Sequence, residues 1–460
     1  MKQRESVRHN KVLIITYVFP PAAYVGGHRS LKYCKYLRDY GWAPLVLTIK
    51  PTGVTFKDDS LSRQVPDDVR VYRTLDLDPA KWIAKRERHA GNSPGALPGI
   101  GTEGQQAPSR ATGLWKRLRR LVGQLLLDAP DSHIFWVPFA FLKGVRILLT
   151  ENVDVIYCSS PPHSSHIVAF LLAKCFRKAY VLDFRDPWFV SGSRQIPSGK
   201  PHWLSKWEAT AKRVVVRNAA KIISVSRGER DELREEFPAL KPGHFTFITN
   251  GYDPKDFDGV HISQERSAKL TLTHAGTIYS GTAGEFFAAL HQLVRDHPGI
   301  EDKIHVKLIG EVANEYAETI CMLEANGILR AYGTLPHVTA LRAVLESDAL
   351  VVLMGGGKVL SSHIPAKVFE YLYAGKPIVA VAQDGELAEI LTKSGLGIVV
   401  SPDSVEKLAR TLWDLYTDYA AGRLARFPNE SYIRSFERAA LTGKLATILD
   451  EVKGVRTACA

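Results

Sequence analysis

The sequence predicts an α/β protein with two doubly wound parallel sheets in tandem. Its 460 residues are too many for one hydrophobic core. Apolar strand-like runs alternate with amphipathic helical runs almost throughout, and the alternation restarts near residue 269. We therefore predict one domain over residues 1–255 and a second over 256–430. A last helix in residues 431–460 is expected to pack back on the first domain.

The first domain begins with a buried strand, an amphipathic helix closed by Gly41, and a second strand. Residues 85–113 contain almost no apolar side chains and many Gly and Pro, which indicates a mobile insertion. Further strands and helices follow in the order "VDVIYCS", a helix after "PPHSSH", "AYVLDF", a long helix through Val216, "KIISVS" and "FTFITN".

The second domain repeats the pattern with five apolar strands: "LTLTHAG", "HVKLIG", "DALVVLMG", "PIVAVA" and "GIVVS". We predict helices beginning near Ala283, Asn314, His337, Pro365, Glu386 and Val405. In doubly wound sheets, ligands bind beyond the carboxyl ends of the strands, where helix N-termini point. Candidate functional residues are therefore sought at those ends.

Charge separates the two halves. Residues 1–268 carry 41 Lys and Arg against 26 Asp and Glu, whereas residues 269–460 carry 19 against 22. The basic half favours an anionic partner, namely phosphorylated ligands, an anionic membrane or nucleic acid, although a solvated basic face is the alternative. We expect no nucleic-acid partner, because no binding motif accompanies the charge.

A basic amphipathic helix is predicted near residues 114–127, within "LWKRLRRLVGQLLL". Its composition is typical of a helix in an anionic membrane interface, and packing against the first core explains it equally well. No apolar run is long enough to cross a bilayer, and the N-terminus is not a signal peptide. The five scattered cysteines fit reduced thiols in a cytosolic protein. We expect a cytoplasmic location, with peripheral contact at the inner face of the plasma membrane.

The segment "IPAKVFEYLYAGKPIVAVA" places Lys367 and Glu370 one helical turn apart, just before a buried strand. Lys367 near a helix start makes an anion site, and Glu370 can accept hydrogen bonds from hydroxyl groups. An ordinary ion pair between the two, worth about 0.2–0.5 kcal/mol, is the alternative.

Two segments of the first domain carry further candidates. "FPPAAYVGGHRSL" offers Gly26 and Gly27 for close backbone approach to a ligand, with Arg29 as a phosphate contact. A tight turn with a surface arginine is the alternative. "YVLDFRDPW" places three charges at a strand end, namely Asp183, Arg185 and Asp186, and these are costly unless they are paired or functional. A buried structural Asp–Arg pair is the alternative to a functional role. His163 follows the neighbouring strand.

"PAKVFEYLYAGKPIV" resembles the donor-site segment of retaining glycosyltransferase family 4, also called glycosyl transferases group 1. "LTHAGTIYSG", "AYGTLPHVTALRAVLESDALVVL", "VSRGERDEL" and "ITNGYDPKDF" are similar to other segments of that family, in its order. The resemblance covers about 400 residues and implies the GT-B fold, in which two Rossmann-like domains face each other across a cleft. The second domain would then bind a nucleotide sugar, and the first would serve the acceptor.

The resemblance also implies residue roles. Glu370 would bind the ribose, and the backbone of Gly333 and Leu335 would receive the base. Ser362 and Thr277 stand where the family usually has a glutamate and an arginine. The remaining donor-binding residues would then be Gly276, Thr277, Lys358 and Lys367, which would hold the phosphates by backbone amides and positive charge.

In the first domain, Arg185 matches the place of a family histidine near the reacting sugar and would stabilise the departing phosphate. Asp183 or Asp186 would orient the acceptor hydroxyl, and His163 would assist on the acceptor side.

The sequence therefore predicts a retaining, metal-independent hexosyltransferase without a cofactor. Its substrates would be a nucleotide sugar, with uridine ahead of guanosine, and a glycan or lipid-linked acceptor in surface polysaccharide biosynthesis. A sugar-nucleotide epimerase and a non-catalytic, membrane-associated binding protein are the alternatives.

Overall fold

The computed structural model describes residues 9–22, 25–52, 57–76, 130–189, 202–262, 268–355, 363–424 and 427–454. The predicted insertion at 85–113, the predicted helix at 114–127, and Lys358 lie outside these residues. The chain divides into two compact units. The first unit comprises Met1–Ser224, Glu236–Thr246 and Leu445–Ala460, and the second comprises Val225–Glu235 and Phe247–Lys444.

The first unit is built on a seven-stranded sheet in the order β3-β2-β1-β4-β5-β6-β7, with parallel pairing from β3 through β6. The strand interiors are almost entirely apolar and buried, as expected for a parallel sheet covered on both faces. The strands are β1 (Asn10–Ile15), β2 (Trp42–Ile49), β3 (Arg70–Thr74), β4 (Val155–Ser160), β5 (Ala179–Phe184), β6 (Lys221–Ser224) and β7 (Phe245–Phe247).

Five helices of the first unit lie between these strands: α1 (Val25–Tyr36), α2 (Asp59–Arg63), α3 (Val137–Thr150), α4 (Ser164–Phe176) and α5 (His202–Arg217). The chain's last helix, which we number α14 (Arg438–Lys453), returns to this unit through its C-terminal half. There Asp450 accepts a hydrogen bond from the indole of Trp42 at 3.0 Å.

The second unit is built on a six-stranded sheet in the order β10-β9-β8-β11-β12-β13, with parallel pairing throughout. Its strands are β8 (Leu270–Ala275), β9 (Ile304–Ile309), β10 (Leu329–Ala331), β11 (Ala349–Leu353), β12 (Ile378–Val381) and β13 (Gly397–Val400). Its helices are α6 (Arg227–Glu236), α7 (Gly284–Asp296), α8 (Ala317–Ala325), α9 (His337–Glu346), α10 (Lys367–Ala374), α11 (Glu386–Ser394), α12 (Val405–Ala420) and α13 (Glu430–Arg434).

Helix α6 belongs to the second unit because its first turn is capped there. Glu386 accepts hydrogen bonds from the backbone amides of Arg227 at 2.8 Å and Gly228 at 3.2 Å. A carboxylate at a helix N-terminus satisfies unpaired amides and opposes the positive end of the helix dipole.

The two doubly wound parallel sheets predicted from the sequence are confirmed. In each sheet the strand order reverses once, between β1 and β4 in the first and between β8 and β11 in the second. Such a reversal opens a crevice at the carboxyl ends of the strands, where ligands bind in this architecture. The candidate residues predicted from the sequence follow strands close to these two reversals.

Candidate functional site

Glycines line the carboxyl ends of three adjacent strands in the second unit. Gly276, Gly310 and Gly333 follow β8, β9 and β10, and all have positive φ angles of 136°, 126° and 65°. The amide of Gly276 donates to Ile309 at 2.7 Å, and that of Gly310 donates to Gly333 at 2.7 Å. A Cβ on Gly310 would lie only 2.5 Å from the carbonyl oxygen of Gly276. The loops therefore pack backbone against backbone, which side chains would prevent.

The loop after β8 is held by a carboxylate from the loop after β9. Glu315 accepts hydrogen bonds from the hydroxyl of Ser280 and from the amide of Gly281, the latter at 2.7 Å. These hydrogen bonds, the one from Ser280 foremost, lower the pKa of Glu315 below its ordinary value. Thr277 is exposed in this loop. The amides on either side of it are not free for a ligand, because Gly276 donates to Ile309 and Ile278 donates to Glu311 at 2.8 Å.

Lys367, at the start of α10, lies against the first of these glycines. A Cβ on Gly276 would be 3.0 Å from the Lys367 nitrogen, so the ammonium group packs directly over the glycine backbone. Burial lowers the pKa of Lys367 from 10.5 to about 7. The half-buried side chain thus keeps its ammonium group partly desolvated, at the position where the sequence predicts a phosphate site.

The ammonium of Lys367 donates a hydrogen bond to Nε2 of His274 at 2.8 Å. His274 is 1% exposed, and its other ring nitrogen, Nδ1, lies 3.0 Å from the carbonyl oxygen of Val351. Because a carbonyl only accepts, Nδ1 carries the proton and Nε2 is left as an acceptor. Burial, followed by the charge of Lys367, lowers the pKa of His274 well below its ordinary value. A neutral imidazole therefore orients Lys367 without neutralising it.

Glu370 lies one turn further along α10 and contacts a different partner. Its Oε1 accepts from Nε2 of His337 at 3.1 Å, and its side chain is 30% exposed. His337 is the first residue of α9, which follows Gly333 and Leu335 after β10. The structure thus pairs Lys367 and Glu370 with separate side chains, instead of the predicted alternative of one ion pair.

In the first unit, Asp183 at the end of β5 is fully buried and paired. The guanidinium of Arg29 donates to both of its oxygens, at 2.7 Å and 3.0 Å, and the hydroxyl of Tyr157 donates to it as well. Burial alone would lower the pKa of Arg29, but the carboxylate of Asp183 raises it above the ordinary value.

Arg29 is 1% exposed and Asp183 is 0% exposed, so neither presents a polar atom to a ligand. The geometry matches the alternative of a buried structural pair, with Arg29 in place of Arg185 as the partner. Arg29 and Asp183 therefore fit a structural role in the first unit.

Arg185 lies over Gly26 in the first turn of α1. A Cβ on Gly26 would be 2.6–2.9 Å from three atoms of the guanidinium, so the glycine admits Arg185 to this position. The close approach predicted for Gly26 is therefore to a side chain of the same unit. Nη2 of Arg185 donates to the carbonyl of Pro161 at 3.0 Å. Burial lowers the pKa of Arg185, and the neighbouring Asp186, which is exposed, only partly offsets this effect.

His163 precedes α4 and is 9% exposed, with its ring stacked on Trp188 at a centroid distance of 4.9 Å. Burial and then the neighbouring His166 lower the pKa of His163 well below its ordinary value. The imidazole is therefore neutral at physiological pH and largely buried.

Sequence reasoning missed two residues of the second unit, His274 and His337. The signal for His274 was present, since a histidine inside the strand "LTLTHAG" must satisfy two ring nitrogens in an apolar core. His337 could not be identified from the sequence, because its contact with Glu370 depends on how α9 and α10 pack together. In the parts of the chain that the structure describes, no cluster of three or more His, Cys, Asp or Glu side chains could hold a metal ion. Within the same residues, no helix is both long and apolar enough to span a bilayer.

Two family models match the chain. The model of the glycosyl transferase 4-like domain matches residues 26–251, and the model of glycosyl transferases group 1 matches residues 270–418. The second match contains the glycine loops, Lys367 and Glu370, while the first contains Arg185 and His163. Among curated protein sequences, none is similar enough to the chain to count as a match.

Solved structures share the fold along almost the whole chain. A glycosyltransferase from Rickettsia africae is 15% identical, with a TM-score of 0.59, and the similarity covers 97% of this chain and 99% of that one. HepE of Anabaena in complex with UDP is 13% identical, with a TM-score of 0.56 and coverage of 96% and 100%. The lipopolysaccharide outer core galactosyltransferase WaaB is 10% identical, with a TM-score of 0.54 and coverage of 96% and 99%. The fold is thus GT-B, as the sequence predicts.

Proposed function

Because the chain belongs to the glycosyl transferases of group 1, with a glycosyl transferase 4-like first domain, we propose that it is a retaining hexosyltransferase. The donor is a nucleotide-diphosphate sugar bound by the second unit. The acceptor is a glycan or a lipid-linked glycan of surface polysaccharide biosynthesis, reached from the cytoplasmic side. UDP is the favoured nucleotide, since HepE, a structural neighbour, holds UDP.

The observation that carries the proposal is the partly desolvated ammonium of Lys367 beside the Gly276 backbone. A buried charge is costly unless an opposite charge accompanies it, and His274 is a neutral acceptor. A diphosphate would supply the missing charge. Thr277, exposed in the loop that Glu315 fixes, is the proposed hydroxyl contact of the same anion, while the amides of Gly276 and Ile278 stay bonded within the unit.

The neighbouring residues suit the nucleoside. Glu370 keeps part of its carboxylate exposed and is oriented by His337, so it can accept hydrogen bonds from the two ribose hydroxyls. The backbone between Gly333 and Leu335 is the proposed contact for the base, and Lys358 remains a predicted phosphate ligand.

The proposed reaction moves one glycosyl group. The acceptor hydroxyl oxygen bonds to the anomeric carbon while the bond from that carbon to the phosphate oxygen breaks. The nucleoside diphosphate leaves with the electron pair, and the hydroxyl proton passes to the departing phosphate oxygen. Attack on the face that the diphosphate vacates retains the anomeric configuration.

Positive groups stabilise the developing charge on the diphosphate, which is the largest contribution expected in such a step. Lys367 supplies this charge in the second unit, and Arg185 is the proposed contributor from the first. Asp186 and His163 are the proposed acceptor-side residues. No metal ion or cofactor takes part in the proposal, so activity is expected to persist after treatment with EDTA.

The experiment is nucleotide binding followed by turnover. We expect UDP to raise the melting temperature and to bind more tightly than GDP or ADP, since a ligand of the folded state stabilises by RT ln(1 + [L]/Kd). Glu370→Ala should abolish this binding without unfolding the protein. Glu318→Ala, which removes an exposed first-turn glutamate of α8, is the matched control. NMR of the product from a UDP-sugar and a membrane extract should show the donor's anomeric configuration.

Two results would contradict the proposal. Epimerisation of the sugar nucleotide without any acceptor would identify an epimerase on the same fold. Failure of every nucleotide to stabilise the protein would identify a binding protein without a donor site.

A further inference from the structure

Three helices of the first unit form one layer. Helix α3 packs against α4, and α4 packs against α5. They are the connections that follow β3, β4 and β5, and right-handed crossovers in this strand order place all three on the same face of the sheet. Their outward side chains therefore share one surface, which we call the α3–α5 face.

Large apolar side chains are exposed on the two outer helices of this face. On α5, Trp203 is 59% exposed and Trp207 is 43% exposed, and Val214 follows on the same stripe, two further turns along. On α3, Leu142 and Leu149 are 68% and 73% exposed. Scattered exposed apolar residues are ordinary, but two tryptophans on adjacent turns of one helix mark an interaction surface.

The exposed charges on the three helices themselves are positive, and Glu236, an exposed carboxylate against α5, is paired with Lys212 at 2.6 Å. Helices α3 and α4 contain no Asp or Glu, and the one acidic residue of α5, Glu208, is 1% exposed. The exposed cations of the three helices are Arg146, Lys174, Lys206, Arg213 and Arg217. They are interleaved with the apolar residues on α5, where Lys206 adjoins Trp207 and Arg213 adjoins Val214.

We propose that the α3–α5 face docks on an anionic lipid bilayer. Tryptophan favours the membrane interface, where its ring reaches the acyl chains and its N–H stays hydrated. Lysine and arginine bind the lipid phosphates, each strengthening adsorption roughly fivefold. A second copy of the chain fits poorly, since a two-fold contact would bring this positively charged surface against itself.

This proposal is independent of the glycosyl transfer proposed above, and of the predicted helix at 114–127. It rests on exposed residues of described helices only, and its test needs no sugar nucleotide. The donor site and the docking face are therefore tested by separate measurements.

The experiment is vesicle flotation of the full-length protein. We expect binding to vesicles that mix phosphatidylcholine with phosphatidylglycerol, little binding to phosphatidylcholine alone, and weakening with salt. Trp203→Ala/Trp207→Ala should weaken binding about tenfold or more, because two large apolar side chains lose their contact with lipid. Lys206→Glu/Arg213→Glu should weaken it by a similar factor.

The control variants make comparable substitutions at exposed positions of the second unit. Phe427→Ala removes an exposed aromatic ring, and Lys303→Glu/Lys407→Glu makes the same change in net charge at exposed positions. Both should bind vesicles as the wild type does. Thermal unfolding and UDP affinity should be unchanged in all four variants, which separates a docking defect from misfolding.

Three outcomes would overturn the proposal. The α5 variants could bind the mixed vesicles as tightly as the wild type. The wild type could bind neutral and anionic vesicles equally, which would remove the role of the cations. The tryptophan variant could convert a dimer into a monomer while no vesicle binding is seen, which would assign the face to a second copy of the chain.

Discussion

Arg29 in the first unit is fully buried and Lys367 in the second is half-buried; both are cations beside a sheet's carboxyl edge, but their partners differ. Arg29 binds both oxygens of the Asp183 carboxylate, and this pairing raises its pKa. Lys367 donates to the neutral His274, and its pKa falls to about 7. The positive charge of Arg29 is therefore balanced by a carboxylate within the protein, whereas that of Lys367 has no negative partner at this contact.

The difference separates a structural pair from a binding residue. In a buried ion pair with good geometry, each charge already has its partner. Removing one member leaves the other charge buried and unpaired, which is destabilising. A partly desolvated cation without a counter-charge gains most when an anionic ligand arrives. Substitutions at the two sites test the two sides of this distinction.

Asp183→Asn should destabilise the first unit by about 3–5 kcal/mol, because it leaves the guanidinium of Arg29 buried without an opposite charge. Urea unfolding monitored by circular dichroism measures the loss. Replacing both members, as Arg29→Met/Asp183→Leu, should recover most of the stability. A stable Asp183→Asn protein that has lost only turnover would instead give Asp183 a direct role in the reaction.

Lys367→Met should leave the free protein as stable as the wild type at neutral pH, or more stable, since it removes an uncompensated charge. It should weaken UDP-sugar binding by about 1.5–3 kcal/mol, the contribution of a charged hydrogen bond. Calorimetric titration and thermal unfolding of the same samples compare the two effects. Strong destabilisation with unchanged affinity would show that Lys367 is a structural residue.

UDP-sugar affinity should fall as the pH rises above about 7. The free protein holds Lys367 at that pKa, and a bound diphosphate raises the pKa, so binding takes up a proton between the two values. The decrease is at most about tenfold per pH unit within this window, and affinity levels off below it. Titrations in buffers of different ionisation enthalpy measure the proton uptake. Lys367→Met should show a flat profile, whereas an equally steep profile in that variant would assign the proton to another group.

The fold was predictable because its signals are local. Short apolar runs such as "VDVIYCS" indicate buried strands, and Gly375 and Gly395 end α10 and α11 in the left-handed conformation that glycine favours. Helices α7, α9, α11 and α12 begin within a residue of their predicted positions. Helix α10 begins two residues after the predicted Pro365.

The partners of the candidate residues were not predictable, because they are far apart in sequence. Asp183 meets Arg29 across 154 positions, and Lys367 meets His274 across 93. The run "YVLDFRDPW" left open a buried pair between an aspartate and Arg185, but β5 ends at Phe184, before Arg185, and Arg29 of α1 binds Asp183 instead. Local spacing could locate these charges at a strand end, whereas their pairing depends on which helices cover each face.

Gly26→Ala should give the smallest effect and tests the other glycine-packed cation, Arg185. The methyl group of the new alanine would occupy the place of the Arg185 guanidinium. The guanidinium can move away, because it is the end of a flexible side chain. Stability should therefore change by about 1 kcal/mol or less. UDP affinity should stay the same while kcat falls, since Arg185 leaves its place beside Pro161.

Gly27→Ala is the matched control, because its Cβ would meet the carbonyl oxygen of Val18 at 3.4 Å, an ordinary contact. Equal turnover in both variants would remove Arg185 from the proposed reaction.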